Sequence, residues 1–156
     1  MRLIAVGTRM PAWVSEAFRE YARRLPGPYR LELTEVEPAR WIKGADGARL
    51  KREEGERLLR CVPRAALLVA LDVAGRLRSS EALARDLSGW LADGRPLVFA
   101  IGGAEGLAPE CLASASELWS LSPLTLPHAL ARVVVAEQLY RAYSRLTGQP
   151  YHRGTA

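Results

Sequence analysis

The sequence predicts one α/β domain, residues 1–156, with a largely parallel sheet and helices on both of its faces. Apolar strand-like runs alternate with helix-like segments along the 156 residues. In addition, the two middle runs, ALLVALD at 66–72 and PLVFAIGG at 96–103, are apolar on both faces. Strands that are buried on both sides are typical of parallel sheets whose crossover helices cover each face, and this length suits a single domain.

The first 64 residues predict two strands and two helices. Leu3–Val6 is an apolar run that ends at a glycine, as a buried strand does. Pro11 suits the first turn of a helix, and a Pro-Gly-Pro stretch ends that helix near Leu25. Leu31–Val36 alternates between apolar and polar residues, which predicts a half-exposed strand. A loop over 38–47 then leads into a charged helix from about Ala48 to Cys61.

The rest of the chain repeats the alternation of strand and helix. Ser79 or Ser80 suits the N-cap of the third helix, because a hydroxyl can accept a hydrogen bond from a free amide of the first turn. The predicted elements are, in order, a strand, a helix, two strands and a long last helix: 66–72, 81–92, 96–103, 117–121 and 129–146. In a parallel sheet of this kind, ligands bind beyond the carboxyl ends of the strands.

The charge of the chain favours an anionic partner. The formal net charge is +5, and 20 of the 22 basic residues are arginine. The whole excess lies in residues 1–64, which hold 14 basic and 9 acidic residues. The guanidinium group of arginine can bind a phosphate through two hydrogen bonds and can stack on a base, so RNA is the predicted partner. Arg9, Arg40 and Lys43 are the candidate contacts. A solvated basic face is the alternative.

The sequence disfavours several classes of protein. No apolar run reaches the ~18 residues that a membrane span needs, so we expect no membrane association. The N-terminus turns polar too early for a signal peptide. Cys61 and Cys111 lie far apart without metal-ligand spacing, which predicts two inert, buried or half-buried thiols, no metal, and a reduced, cytoplasmic compartment.

A glycine-rich stretch, IGGAEGL at 101–107, follows the second buried run. Glycines at this point let a ligand approach the backbone closely. The spacing is not G-x-G-x-x-G and no Gly-Lys-Ser/Thr follows, which disfavours both a nicotinamide-dependent oxidoreductase and a phosphate-binding P-loop. A tight turn with no ligand remains the alternative.

The last helix carries a charge on its apolar side. Helical spacing places Arg132 in line with Leu139 and Tyr143, where a charge must be paired or must reach a site. A structural ion pair and a functional role are both open. The same spacing places Glu137, Gln138, Arg141, Ser144 and Arg145 on the opposite face.

His128, next to the start of the helix, is interpreted as a packing or capping residue.

Five segments together resemble one known family. They are IAVGTRMPAWV at the start, LDVAG at 71–75, IGGAEGL at 101–107, WSLSPLTLPHALARVVVAEQLYRAYS at 119–144 and PYHR at 150–153. In this order they resemble the bacterial large-subunit rRNA pseudouridine N3-methyltransferases, a family of the SPOUT superfamily of S-adenosylmethionine (SAM) enzymes.

The resemblance implies a fold, a cofactor and an assembly. It implies a C-terminal trefoil knot that holds SAM in a bent form, and a homodimer. By motif match, the end of the third strand, the glycine loop and the apolar loop before the last helix would bind SAM, through Leu71, Gly102, Leu121, Ser122, Pro123, Leu124, Thr125 and Leu126.

The implied substrate is a pseudouridine in a stem-loop of 23S rRNA on the assembled 70S ribosome. We expect Arg132 to stabilise the developing imide anion or to position a phosphate, and Tyr151, His152 and Arg153 to hold the target nucleotide. His152 is also a candidate catalytic residue, and Glu105 and Glu137 are other candidates for a general base. A catalytically silent RNA-binding protein and a SPOUT enzyme acting on tRNA are the rival interpretations.

Overall fold

Five parallel strands form one sheet in the order β2-β1-β4-β3-β5. The computed structural model describes residues 1–41, 44 and 46–153, without the side chains of His152 and Arg153. The strands, numbered along the chain, are β1 Arg2–Val6, β2 Glu32–Val36, β3 Leu67–Leu77, β4 Leu97–Ile101 and β5 Glu117–Ser120. The predicted parallel sheet is confirmed, and β2 lies at one edge with its outer positions exposed.

Helices cover both faces of this sheet, as predicted. They are α1 Ala12–Ala22, α2 Gly47–Arg60, α3 Ser80–Ala92, α4 Pro109–Ser114 and α5 His128–Leu146, with short 3-10 turns at Gly27–Tyr29 and Pro150–Arg153. Asp46 caps α2 by accepting a hydrogen bond from the amide of Ala48, and Ser79 caps α3 through Ala82. Such caps satisfy amides that have no partner within the helix.

The sheet separates two hydrophobic cores. One face of β1, β3 and β4 packs against α1, α3 and α5, with Phe99 at its centre in edge-on contact with Trp90 and Trp119 at centroid distances of 6.0 Å. The other face packs against α2 and α4. Cys111 is buried in this second core, where burial raises the pKa of its thiol, and Cys61 is half-buried. The predicted burial of the cysteines is therefore confirmed.

The strand order places a ligand site at the carboxyl edge of the sheet. The chain runs outward from β1 to β2, then returns to build β3 and β4 on the other side of β1. At such a reversal the loops after neighbouring strands diverge and leave a crevice. The glycine-rich stretch follows β4 at this point. The trefoil knot concerns how the chain threads through its own loops, and it stays a prediction.

Three details differ from the sequence-based boundaries. Strand β3 continues to Leu77 and its pairing with β5 is interrupted between Leu71 and Arg76. Gly75 permits this, because a Cβ there would lie 2.7 Å from backbone atoms of Trp119. The short helix α4 was not predicted. Ser144, predicted on the exposed face of the last helix, is fully buried, since the turn at 150–153 folds back and Ser144 donates to the carbonyl of Gln149.

No helix in the described part of the chain is both long and apolar enough to cross a membrane. Within that same part, no three His, Cys, Asp or Glu side chains are grouped so that they could hold a metal ion.

Candidate active site

Two adjoining cavities open at the carboxyl edge of the sheet. The first cavity, of about 620 Å³, lies between the end of β3, the glycine-rich stretch after β4 and the segment from β5 to the start of α5. Its lining residues are Lys51, 71–73, 101–106, 119–122, 124–128 and Ala131. Three separate chain segments thus meet around one volume that is large enough for a small-molecule ligand.

The segment from 121 to 127 forms an apolar wall of the first cavity. Leu121 and Leu126 are partly buried, whereas the side chain of Leu124 is 73% exposed. The loop is braced locally: the Ser120 hydroxyl donates to the carbonyl of Ser122, and the Ser122 hydroxyl accepts from the amide of Leu124 at 2.9 Å. A braced loop that exposes Leu124 beside two partly buried leucines is suited to covering a flat apolar ligand, because the ligand would remove that leucine surface from water.

The glycine-rich stretch forms the opposite wall. The amide of Gly106 donates to the carbonyl of Gly103 at 3.1 Å, and Gly106 has a φ of +80°. A Cβ on Gly102 would lie 2.3 Å from the carbonyl carbon of Gly106, so any side chain there would displace the loop. The glycines therefore allow the chain to turn back on itself and present backbone to the cavity.

Seven of the eight residues predicted to bind the cofactor line the first cavity: Leu71, Gly102, Leu121, Ser122, Leu124, Thr125 and Leu126. Pro123, the eighth, is exposed and does not line it. The structure thus brings together residues that lie up to 55 positions apart in the sequence. Their contacts with a cofactor remain predictions.

The second cavity is an open groove of about 1060 Å³ on the β1 side of the first. Arg9 and Arg40, two of the predicted RNA contacts, both line it. Lys43, the third, lies outside the described residues. Other lining residues are 6–8, Met10, 37–39, Trp41, Leu50, Glu54, Arg57, 103–105 and His128.

The two cavities share Gly103, Ala104, Glu105 and His128. His128 is the first residue of α5 and is partly buried. Burial lowers the pKa of its imidazole, the charge of Arg132 lowers it further, and the carboxylate of Glu54 opposes both. His128 is therefore neutral at pH 7, and it lies where a ligand in one cavity would meet a ligand in the other.

Arg132 lies one turn further along α5 and is 1% exposed. Its guanidinium group donates to Glu35 Oε1 at 2.8 Å and to the carbonyls of Val6 and Gly7 at 2.7 Å each, while its Nε is buried with no hydrogen-bond partner among the described residues. The predicted position on the apolar side of the helix is confirmed. Arg132 lines neither cavity but supports Val6 and Gly7, which do; a catalytic role for it stays a prediction.

The C-terminal tail lies against the second half of α5. The Tyr151 hydroxyl donates to Glu137 Oε1 at 3.0 Å, Arg141 also binds Glu137, and the Tyr151 ring packs on Tyr140 at 4.7 Å. Burial raises the pKa of Tyr151, so its hydroxyl stays protonated. Tyr151 and Glu137 line neither cavity of this chain, and the side chains of His152 and Arg153 lie outside the described part of the structure.

Two acidic residues line the second cavity close to the junction, and sequence reasoning does not bring them together. It identifies Glu105 only as a possible base, and Glu54 only as part of a charged helix. Glu54 accepts a hydrogen bond from the amide of Ala39 at 3.0 Å, and a Cβ on Gly103 would lie 2.5 Å from its Oε2. The alternation of charge along α2 resembles an ordinary solvated face, so no local signal distinguishes Glu54 from its neighbours.

Comparison with known proteins identifies the family. A family model described as "Predicted SPOUT methyltransferase" matches residues 1–152. The chain belongs to the SPOUT methyltransferase family. This SPOUT methyltransferase is 56% identical, over 98% of both chains, to a protein of Alkalilimnicola ehrlichii named ribosomal RNA large subunit methyltransferase H. It is 52% identical to the protein of the same name from Pseudomonas aeruginosa, over 98% of this chain and 99% of that one.

Solved structures show the same fold at lower sequence identity. The chain superposes on a crystal structure described as a probable methyltransferase from Bordetella pertussis with a TM-score of 0.57, at 20% identity over 90% of this chain and 94% of that one. The α/β fold expected for this SPOUT methyltransferase is thus confirmed. The family match and the named relatives also favour an enzyme of the methyltransferase class over a catalytically silent RNA-binding protein.

Proposed function

We propose that this enzyme transfers a methyl group from SAM to N3 of a pseudouridine in a stem-loop of 23S rRNA, on the assembled 70S ribosome. The observation that carries the proposal is the first cavity, where the glycine turn at 102–106 faces the leucine-rich loop at 121–126. The names of the relatives, which are 52–56% identical over nearly the whole chain, support rRNA of the large subunit as the substrate.

The first cavity fits SAM by its chemistry. Leu121, Leu124 and Leu126 supply apolar surface for an adenine ring, and serine and threonine hydroxyls between them can bind its polar edge. Gly102 lines the cavity, and because it has no side chain the turn can fold tightly against the backbone of Gly106. SAM would supply an electrophilic methyl group, and the residues of the chain would hold it towards the junction of the two cavities.

The target nitrogen must be aligned with the methyl group and must lose a proton. An N–H of an imide is weakly acidic, so a carboxylate or imidazole near the junction can accept its proton. Among the candidates whose side chains are described, Glu105 lines both cavities whereas Glu137 lines neither. Glu105 is therefore the residue of this pair best placed to take the proton, and correct alignment contributes several kcal/mol more.

Assembly and location belong to the same proposal. The resemblance supports a homodimer, and ribosomal RNA as substrate supports a cytoplasmic location. Because Tyr151 lies away from both cavities of its own chain, a role for the tail in holding the target nucleotide requires that it move or that it act on the site of a second copy.

The decisive experiment is transfer of a labelled methyl group from SAM. We expect label in 23S rRNA when 70S ribosomes are offered, and little with isolated subunits or tRNA. Gly102→Val should abolish SAM binding in calorimetry and methyl transfer together, whereas Gly89→Ala, which changes a helical glycine that lines neither cavity and has open space around it, should leave SAM binding intact. Label in tRNA instead of rRNA would refute the substrate, and SAM binding by the Gly102 variant at wild-type affinity would refute the site.

A further inference from the structure

The second cavity has room for more than the nucleotide that is methylated. A pocket for one drug-sized ligand measures about 300–1,000 Å³, and this groove measures about 1060 Å³. It meets the first cavity only along 103–105 and His128. A target base placed at that junction would leave the rest of the groove, towards Arg9 and Trp41, free for its neighbours in the RNA.

Trp41 presents a large aromatic surface in that remaining space. Its side chain is 69% exposed although the residue lines the groove. Among the described residues, the indole takes part in none of the ring–ring or cation–π contacts, whereas Trp90 and Trp119 are both packed in the core. The ring is therefore largely exposed in the groove, and an exposed aromatic face can stack on an unpaired base.

Two cations without a partner among the described residues line the same groove as this ring. Arg9 and Arg40 form no ion pair and no side-chain hydrogen bond with any described residue. By contrast, Arg57 of the same groove donates to the carbonyls of Glu37 and Pro38 and pairs with Glu53. Guanidinium groups left free beside an aromatic ring suit phosphates on either side of a stacked base.

The acidic residues of the groove lie at its wall and near the junction. Glu37 accepts a hydrogen bond from the hydroxyl of Thr8 at 3.2 Å, and Glu54 accepts from the amide of Ala39. Their carboxylates are thus bound to the wall of the groove. Glu54 and Glu105 also belong to the junction side, where a proton must be removed and where a neutral base rather than a phosphate would lie.

We propose that the groove binds a short single-stranded segment of the substrate RNA, with an unpaired base next to the methylated one stacked on Trp41 and its phosphates held by Arg9 and Arg40. The inference rests on the proposed function and adds a second recognition site to it. Bases of RNA loops can be splayed out and stacked on aromatic rings, so such a site would favour loops over duplexes and would fix the target base at the junction.

The test compares Trp41→Ala and Trp41→Phe in the labelled methyl-transfer assay on 70S ribosomes. Loss of one base–aromatic stack should raise the KM for ribosomes by about tenfold, whereas phenylalanine should recover most of the affinity because it keeps a ring. SAM affinity in calorimetry and the thermal unfolding midpoint should be unchanged in both variants, since Trp41 is exposed and lies outside the first cavity.

Trp13→Ala is the matched control. Trp13 is also largely exposed, at 53%, but it lies on α1 and lines neither cavity, so its removal should leave the KM unchanged. A wild-type KM in Trp41→Ala, an equal loss in Trp13→Ala, or weakened SAM binding in Trp41→Ala would each overturn the inference. If wild-type enzyme transferred no methyl group to rRNA, the proposed function itself would fail, which is a separate outcome.

Discussion

Arg132 connects the start of α5 to two strands through Glu35 on β2 and the carbonyls of Val6 and Gly7 at the end of β1. A cation near a helix N-terminus opposes the helix dipole, and burial lowers the pKa of this guanidinium group while Glu35 raises it. The three acceptors keep the group charged. The residue thereby ties β1 and β2, which carry the wall of the second cavity, to the helix that carries His128.

Arg132→Ala should lower the free energy of unfolding by roughly 3–5 kcal/mol, because it leaves Glu35 and two carbonyls without their partner. Chemical denaturation measures this. Arg145→Ala is the control, since Arg145 pairs with Glu81 at the surface and exposed pairs contribute little to stability. Equal stability of the two variants would contradict the scaffold role.

A second substitution at this position distinguishes a structural role of Arg132 from a catalytic one. Arg132→Lys keeps a positive charge but loses the planar guanidinium group with its several donors. If Arg132 also stabilises the imide anion, this variant should retain SAM binding and lose methyl transfer. Loss of SAM affinity instead would make Arg132 a residue of the cofactor site.

At the scale of elements, α2 and α4 approach closely because α2 has a glycine where the two helices touch. A Cβ on Gly55 would lie 2.5 Å from the Cβ of Ala108 and 3.1 Å from the sulfur of Cys111, whose thiol donates to the Gly55 carbonyl. Helix α4 follows directly on the glycine-rich stretch, so this packing also positions one wall of the first cavity. Glycine, a poor helix former, suits this position because the packing leaves no room for a side chain.

We expect Gly55→Ala and Gly89→Ala to change stability in opposite directions. Each gains about 1 kcal/mol of helix propensity. Gly55→Ala should nonetheless be destabilised, by up to about 2 kcal/mol, because overpacking costs roughly 1–3 kcal/mol and outweighs that gain. Gly89→Ala, in α3 with open space around it, should be stabilised. Denaturation midpoints compare the two, and a stabilised Gly55 variant would show that the helices separate readily.

At the scale of the whole molecule, part of the basic excess of the first 64 residues lies in the groove, as two arginines that pair with no described residue. Other basic residues of this half are engaged in helix pairs such as Arg49 with Glu53 and Arg60 with Glu56. Net charge therefore indicates that an anion is attracted, and the proposal that it binds at Arg9 and Arg40 rests on their position in the groove together with their lack of described partners.

Arg9→Ala combined with Arg40→Ala should weaken ribosome binding and reduce its salt dependence. Removing one phosphate-binding cation lowers the slope of log K against log salt by about 0.7–0.9, so the double variant should show a slope smaller by about 1.5. Arg64→Ala is the control: it is exposed, forms no ion pair with a described residue and lines neither cavity. An unchanged slope in the double variant would remove these residues from the RNA site.

The alternation of apolar runs and helical patterns was sufficient to predict the sheet, its two helical layers and the edge where the site lies. Motif resemblance, supported by the family match, predicted the methyltransferase class and the residues that line the first cavity. Such features are local in sequence: a buried strand, a glycine turn and a proline-stiffened loop each carry their own signal.

Only the tertiary structure decided which distant side chains meet. Arg132 and Glu35 are 97 residues apart, and periodicity shows that the charge is buried but not which partner it has. In the sequence, Glu54 cannot be distinguished from the other charged residues of α2. Only the fold places it in one cavity with the end of β1, the start of α5 and the glycine turn. Trp41 would be expected in the core from its residue type, and its exposure in the same groove as Arg9 and Arg40 depends on the tertiary fold, which no local pattern encodes.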